Sequence, residues 1–228
     1  EGLQVPIDAA LRIEARYMAK VMTDPASRNM IRSLFINMQK ANKGVGRPKD
    51  VPPSKLETVG VLGAGMMGAG IAYVSAAAGL NVILIDQSQE AADKGKSYSA
   101  KHNAKAIERG RMTQADSDAL LSRITATTGY DGLSKADMVI EAVFEDRAIK
   151  ADVTKRAAAV MPAHAVFASN TSTLPITGLA EAWAQGGRDA STFIGVHFFS
   201  PVDKMQLVEI IKGKQTGPTA LAVAMDYV

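Results

Sequence analysis

From Ile7 to about Asn42, apolar side chains recur every three or four positions: Ile7, Leu11, Ala15, Met18 and Met22, then Met30, Leu34 and Met38. That is the period of amphipathic helices, and it predicts two of them, broken near Asp24-Pro25. The next stretch, Lys43 to Ser54, is dense in Gly, Pro and charge. It cannot continue a helix and has too little apolar surface to pack, so it reads as a linker. The expected division is a helical segment with its linker over 1–54 and a domain over 55–228.

Beyond the linker the pattern changes to short β-branched runs that alternate with longer helical stretches. This is the signature of βαβ units and a parallel sheet. The strands are expected at Thr58 to Leu62, Asn81 to Ile85, Ile124 to Thr127, Met138 to Ala142, Val166 to Ala168, Phe193 to His197 and Leu207 to Ile211. Between the second and third, Ser88 to Ser122 is rich in Ala and Lys and helical in period, which predicts a long helical insertion after strand 2. The fold class is therefore α/β: a Rossmann-type, doubly wound, mostly parallel sheet with an N-terminal helical appendage. No internal repeat is present.

Composition narrows the partners. With 26 basic and 23 acidic side chains the charge is too evenly balanced for a nucleic-acid or membrane binder, so a small-molecule partner is expected. The absence of cysteine excludes disulfides, thiolate metal sites and cysteine nucleophiles. No apolar run approaches the ~18 residues of a membrane span, and Glu1 to Leu11 carries acids where a signal peptide would carry bases. The chain starts on Glu1, and Thr216 to Val228 reads as the opening of a helix without a stop signal. The lack of a span and of a signal pattern suggests an intracellular protein, and the two ends suggest a piece of a longer one.

The first strand runs directly into Gly63-Ala64-Gly65-Met66-Met67-Gly68, and a small-residue helix follows. In such a turn the first glycine permits the sharp bend, the second lets backbone approach a pyrophosphate, and the third lets helix lie close to strand. The phosphates would meet free N–H groups at the helix N-terminus, where the aligned peptide dipoles favour negative charge. A glycine turn alone also occurs for packing. The second strand, however, ends in Asp86, followed by Gln87, at the expected ~20-residue distance. A carboxylate there can accept both adenosine ribose hydroxyls and would repel a 2′-phosphate, which favours NAD over NADP. FAD-binding domains share the fingerprint, which by itself does not decide between NAD and FAD.

Of the three histidines, His102 lies in a Lys-rich helical stretch and His164 between a helix and a strand, and both read as solvated. His197 ends an apolar strand, where the carboxyl ends of parallel strands face the ligand crevice. An imidazole there can take the proton of an alcohol as hydride leaves the same carbon. Glu209, twelve residues on within Gln206-Leu-Val-Glu-Ile-Ile211, reads as a buried carboxylate, which needs a partner. His197 is the expected one. Glu141 and Glu145 follow another strand and serve either the crevice or a helix N-terminus. Ser169 to Thr173 follow the next, as hydrogen-bonding groups or simply as a turn.

Gly63 to Gly68 with Asp86, Glu141-Ala-Val-Phe-Glu145, Ser169-Asn-Thr-Ser172 and His197-Phe-Phe-Ser-Pro-Val202 occur together and in order. This combination resembles the 3-hydroxyacyl-CoA dehydrogenase family over roughly Lys55 to Thr216. The resemblance implies oxidation of a (3S)-3-hydroxyacyl-CoA with NAD in fatty-acid β-oxidation. It also implies that Gly63, Gly65, Met66, Met67, Gly68, Asp86, Gln87, Glu145, Lys150 and Asn170 lie along the cofactor. Ser172 would touch the substrate's 3-oxygen, beside Ser200, with His197 as acid/base and Glu209 as its partner.

Glu1 to Ser54 and Phe199 to Gln206 look more like the multifunctional members, in which a dehydrogenase follows an enoyl-CoA hydratase. That likeness implies an oligomer or a complex with a thiolase, in the bacterial cytoplasm, the mitochondrial matrix or the peroxisome. Two departures stand out. Position 200 is Ser where single-function members usually have Asn, and the family's second, helical domain, with its active-site Asn, is not in this chain. Two alternatives therefore accompany the main reading: a dinucleotide-binding module without turnover, and a dehydrogenase of a smaller 3-hydroxy acid.

Overall fold

In the computed structural model, which describes residues 1–228, the chain divides into two units, Glu1–Arg47 and Pro48–Val228. The first unit contains α1 (Ile7–Thr23), α2 (Pro25–Met30), a π-helical stretch Ile31–Asn37 and α3 (Met38–Asn42). The break falls at Asp24, whose side chain accepts the Ala26 N–H while Pro25 opens the next helix. Both features are standard at a helix start.

The second unit is built on seven strands: β1 (Thr58–Leu62), β2 (Asn81–Ile85), β3 (Ile124–Thr127), β4 (Met138–Glu141), β5 (Val166–Ser169), β6 (Phe193–Phe198) and β7 (Val208–Ile211). Their order across the sheet is β3-β2-β1-β4-β5-β6-β7, with β1 to β6 parallel and β7 antiparallel at the edge. The order reverses between β1 and β4. In such sheets a crevice opens there, at the carboxyl ends of the strands.

The helices of this unit are α4 (Met66–Ala77), α5 (Gln89–Glu108), α6 (Gln114–Ser122), α7 (Arg147–Val160), α8 (Ile176–Gln185) and α9 (Pro218–Tyr227). The expected insertion after β2 is two helices, because Gly110 takes a left-handed φ of 65° and Thr113 opens α6 with a capping box. Alternate strand residues face opposite layers, and the sheet is buried on both sides. On one side Val59, Val61, Met138 and Ile140 pack with Ile71 of α4, Leu120 of α6 and Ala220 of α9. On the other, Val139, Phe167 and Phe193 meet Val153 of α7 and Trp183 of α8. Two-sided burial explains why the strands read as apolar runs rather than as alternating ones. No helix is long and apolar enough to cross a membrane.

Candidate functional site

The turn after β1 is shaped by its glycines. Gly63 has φ +93°, a left-handed conformation, and a Cβ there would lie 2.7 Å from the Ala142 carbonyl oxygen. A Cβ on Gly68 would lie 1.8 Å from the Gly63 carbonyl oxygen, so α4 can approach the turn only with glycine there. Gly65 is different: a Cβ on it would meet nothing within 4 Å. No side chain caps α4, and Gly65, Met66 and Met67 at its start line a cleft. An uncapped helix start beside an unfilled cradle fits a diphosphate.

Asp86 closes the other side of this turn. Its Oδ2 accepts the Ala64 N–H at 2.6 Å and its Oδ1 accepts the Gln87 N–H at 2.7 Å, which ties the end of β2 to the glycine turn. A cleft of about 340 Å³ follows, lined by Gly63, Gly65, Met66, Met67, Asp86 and Gln87. Its far wall includes Tyr130 and Arg156, which sequence reasoning missed; the guanidinium lies 4.2 Å from the ring centroid. Burial raises the Tyr130 pKa, with the charges of Asp152 and Asp86 adding to it against Arg156.

At the end of β4 the structure brings together groups that the sequence left open. Glu141 and Lys150 are each 1% exposed, with Lys150 Nζ 2.6 Å from Glu141 Oε1 and 3.1 Å from Glu145 Oε2. Glu141 also accepts Ser169 Oγ at 2.8 Å and the Val143 N–H at 3.0 Å. Glu141 is thus the core partner of Lys150, and Lys150 points into the protein and acts on its surroundings through the two carboxylates. Glu145 accepts from Thr171, and from Thr173 at 3.1 Å. Burial alone would push its carboxyl up, but hydrogen bonds from Thr171, Lys150 and Thr173, with the Lys150 charge, outweigh this and hold the pKa below 4.5. Of the two readings open for the run Ser169 to Thr173, the hydrogen-bonding one holds for these threonines, whose partner is Glu145.

His197 and Glu209 are register partners across the antiparallel β6–β7 ladder, so their side chains share one face of the sheet. Nδ1 of His197 lies 2.8 Å from Glu209 Oε2. The pair forms, but the reasoning from burial was wrong: Glu209 is 52% exposed, because β7 is the edge strand. Since a carboxylate only accepts, Nδ1 carries the hydrogen and Nε2 of the neutral ring keeps the free lone pair. His197 is 17% exposed, and Phe199 packs against its ring at 4.6 Å between centroids.

Asn170 Oδ1 accepts the Phe198 N–H at 2.8 Å, which joins the ends of β5 and β6 beside this pair. Ser172 is exposed next to it, and Ser200 is exposed with its Oγ 3.8 Å from Met66 Sδ. From β1 to β6 there are three strand spacings, or ~14 Å at ~4.8 Å each. The glycine turn and the imidazole thus stand at the carboxyl ends of strands three spacings apart. His164 is exposed as expected. His102 is not simply solvated: it is partly buried, with Nε2 3.1 Å from Asp203 Oδ2.

The family model of the 3-hydroxyacyl-CoA dehydrogenase, NAD binding domain, matches residues 58–228. Among curated proteins, the fatty acid oxidation complex subunit alpha of Psychrobacter arcticus is 36% identical over 223 residues, 98% of this chain and 30% of that protein. The subunit of that name from Shewanella amazonensis is 36% identical over 228 residues, 100% of this chain and 31% of its own length. This chain therefore spans about 30% of the length of these relatives. Among solved structures, (S)-3-hydroxybutyryl-CoA dehydrogenase PaaH1 from Ralstonia eutropha superposes with a TM-score of 0.70 at 39% identity, covering 76% of this chain and 61% of that one. FadB2 of M. tuberculosis gives 0.70 at 36% identity, covering 76% and 59%.

Proposed function

Because this chain belongs to the 3-hydroxyacyl-CoA dehydrogenase family through its NAD-binding domain, we propose that the whole protein carrying it oxidises (3S)-3-hydroxyacyl-CoA to 3-oxoacyl-CoA. NAD, when bound, supplies the hydride acceptor. The backbone at Gly63, Gly65, Met66, Met67 and Gly68 would hold its diphosphate, and Asp86 with Gln87 its adenosine ribose. Glu145, oriented by Lys150, Thr171 and Thr173, would line the nicotinamide end with Asn170.

The observation that carries the reading is the His197–Glu209 pair at the carboxyl end of β6, three strand spacings from the glycine turn. His197 Nε2 takes the hydroxyl proton of the substrate, and Glu209 stabilises the cationic ring that results. Ser172, exposed at the end of β5, donates a hydrogen bond to the 3-oxygen, and Ser200 takes a supporting place on the opposite loop. The reading extends to an acyl-CoA substrate, a thiolase in the same complex and the bacterial cytoplasm. Co-purification of a thiolase with the tagged full-length protein tests the assembly.

His197→Gln in the full-length protein tests the chemistry. General-base help is worth ~10² to 10⁴ in rate, so turnover of a 3-hydroxyacyl-CoA falls by about that factor while NADH binding stays within about threefold of wild type. Unchanged turnover removes His197 from the mechanism.

A further inference from the structure

Away from the crevice, three rings and a carboxylate converge on the loop that joins β6 to β7. Asp203 stands midway along the chain between His197 and Glu209. Its side chain is 8% exposed, with Oδ2 3.1 Å from His102 Nε2 and Oδ1 accepting the Tyr98 hydroxyl at 3.2 Å. Tyr98 and His102 both come from α5, four residues apart and so on one face of that helix. Tyr73 of α4 covers the His102 ring at 4.8 Å between centroids and meets Tyr98 at 6.4 Å, edge to face. Burial raises the Tyr73 and Tyr98 pKa values, and the Asp203 charge adds to it, so the Tyr98 hydroxyl keeps its proton for the bond.

Neighbouring residues extend the anchor. Val202 lies so close to α4 that a Cβ on Gly70 would be 2.9 Å from Val202 Cβ. On the other side of the loop, Phe199 touches the His197 ring.

A largely buried carboxylate in a loop is unfavourable unless donors compensate it, and an ordinary turn needs none. Here the partners, the Tyr98 hydroxyl as donor and the His102 ring nitrogen at ion-pair distance, sit on a helix 105 and 101 residues earlier in the chain. The loop they hold runs at both ends into the strands that carry the paired imidazole and carboxylate. We propose that Asp203, clamped by Tyr98 and His102, is a positioning residue that fixes the β6–β7 loop and with it the placement of His197. It acts through His197 and Phe199 rather than on substrate, and it rests on the reading of His197 as the acid/base.

The full-length protein tests this with Asp203→Ala, Asp203→Asn and the milder Tyr98→Phe. Misplacement of a reacting group by ~1 Å lowers rate by ~10², so Asp203→Ala lowers kcat about 10- to 100-fold. KM for the acyl-CoA and Kd for NADH change less than about threefold, because neither site includes Asp203. Asp203→Asn, which keeps an acceptor oxygen, recovers part of the loss. Tyr98→Phe gives the same pattern at about 3- to 10-fold, the range of one hydrogen bond.

In a His197→Gln background Asp203→Ala causes no further loss, since the residue it positions is gone. Unchanged kcat, a rise in KM alone, or an equal loss in both backgrounds overturns the proposal. Hydrogen exchange over residues 198–208 provides a readout without turnover: exchange quickens in Asp203→Ala and Tyr98→Phe. Should wild type not turn over a 3-hydroxyacyl-CoA, the reaction reading fails, and unchanged exchange still separately overturns the clamp.

Discussion

Replacing Lys150 by Met exposes how the end of β4 is held together. Lys150 and Glu141 are both 1% exposed and 2.6 Å apart. At an effective dielectric of ~20 their gross attraction is ~6 kcal/mol, against a desolvation penalty of several kcal/mol for each ion. The net worth of the pair is therefore small, but the consequence of losing one partner is not. Lys150→Met leaves Glu141 with only Ser169 and the Val143 N–H as donors, and leaves Glu145 nearby without its cation. An uncompensated buried charge costs ~3 to 5 kcal/mol. Glu141→Gln should cost less, about 1 to 2 kcal/mol, because Lys150 keeps Glu145 at 3.1 Å.

Urea unfolding monitored by tryptophan fluorescence measures this, since Trp183 is the sole tryptophan and is buried in α8 against the same core layer as α7. At an m-value of ~2 to 3 kcal/mol/M, the Lys150→Met midpoint falls by about 1 to 2 M. The double variant Lys150→Met/Glu141→Gln regains most of the stability. A Lys150→Met loss below about 1 kcal/mol, or one no larger than that of Glu141→Gln, refutes this account of the network.

Gly65→Ala should leave the melting temperature unchanged, since its Cβ meets nothing within 4 Å, while weakening NADH binding about tenfold or more by calorimetry. Gly68→Ala should instead destabilise the fold by about 3 kcal/mol or more, since its Cβ would overlap the Gly63 carbonyl at 1.8 Å; an equal effect at both positions contradicts this division of roles. The depressed Glu145 pKa gives a stabilisation that is complete above about 4.5 and is lost as pH falls through the folded-state value, so Glu145→Gln should flatten the acid limb of a stability curve. Tyr227, whose hydroxyl bonds Ser75 at 2.7 Å, has its pKa pushed up to about 12 by burial. Its contribution is complete below 10 and lost as pH rises towards 12, a decline that Tyr227→Phe should abolish in alkaline unfolding.

Much of the fold was legible in the chain because its signals are local. Strands buried on both faces must be apolar throughout, and a sharp strand-to-helix turn must carry glycine. The seven runs, the Gly63 turn and Asp86 could therefore be read without coordinates. The pairing of His197 with Glu209 was legible too, though for the wrong reason. The antiparallel register of an edge strand, not burial, brings them together, and the apolar run around Glu209 concealed its exposure. What only the tertiary structure decided are contacts between residues distant in sequence. Lys150, which the family resemblance places along the cofactor, is a core residue because Glu141 and Glu145 converge on it. His102 appears solvated in a Lys-rich helix, and becomes a clamp because a loop 101 residues later brings Asp203 against it. Periodicity reports which face of an element is covered, whereas the choice of charged partner depends on how separate elements pack, and no local pattern encodes that.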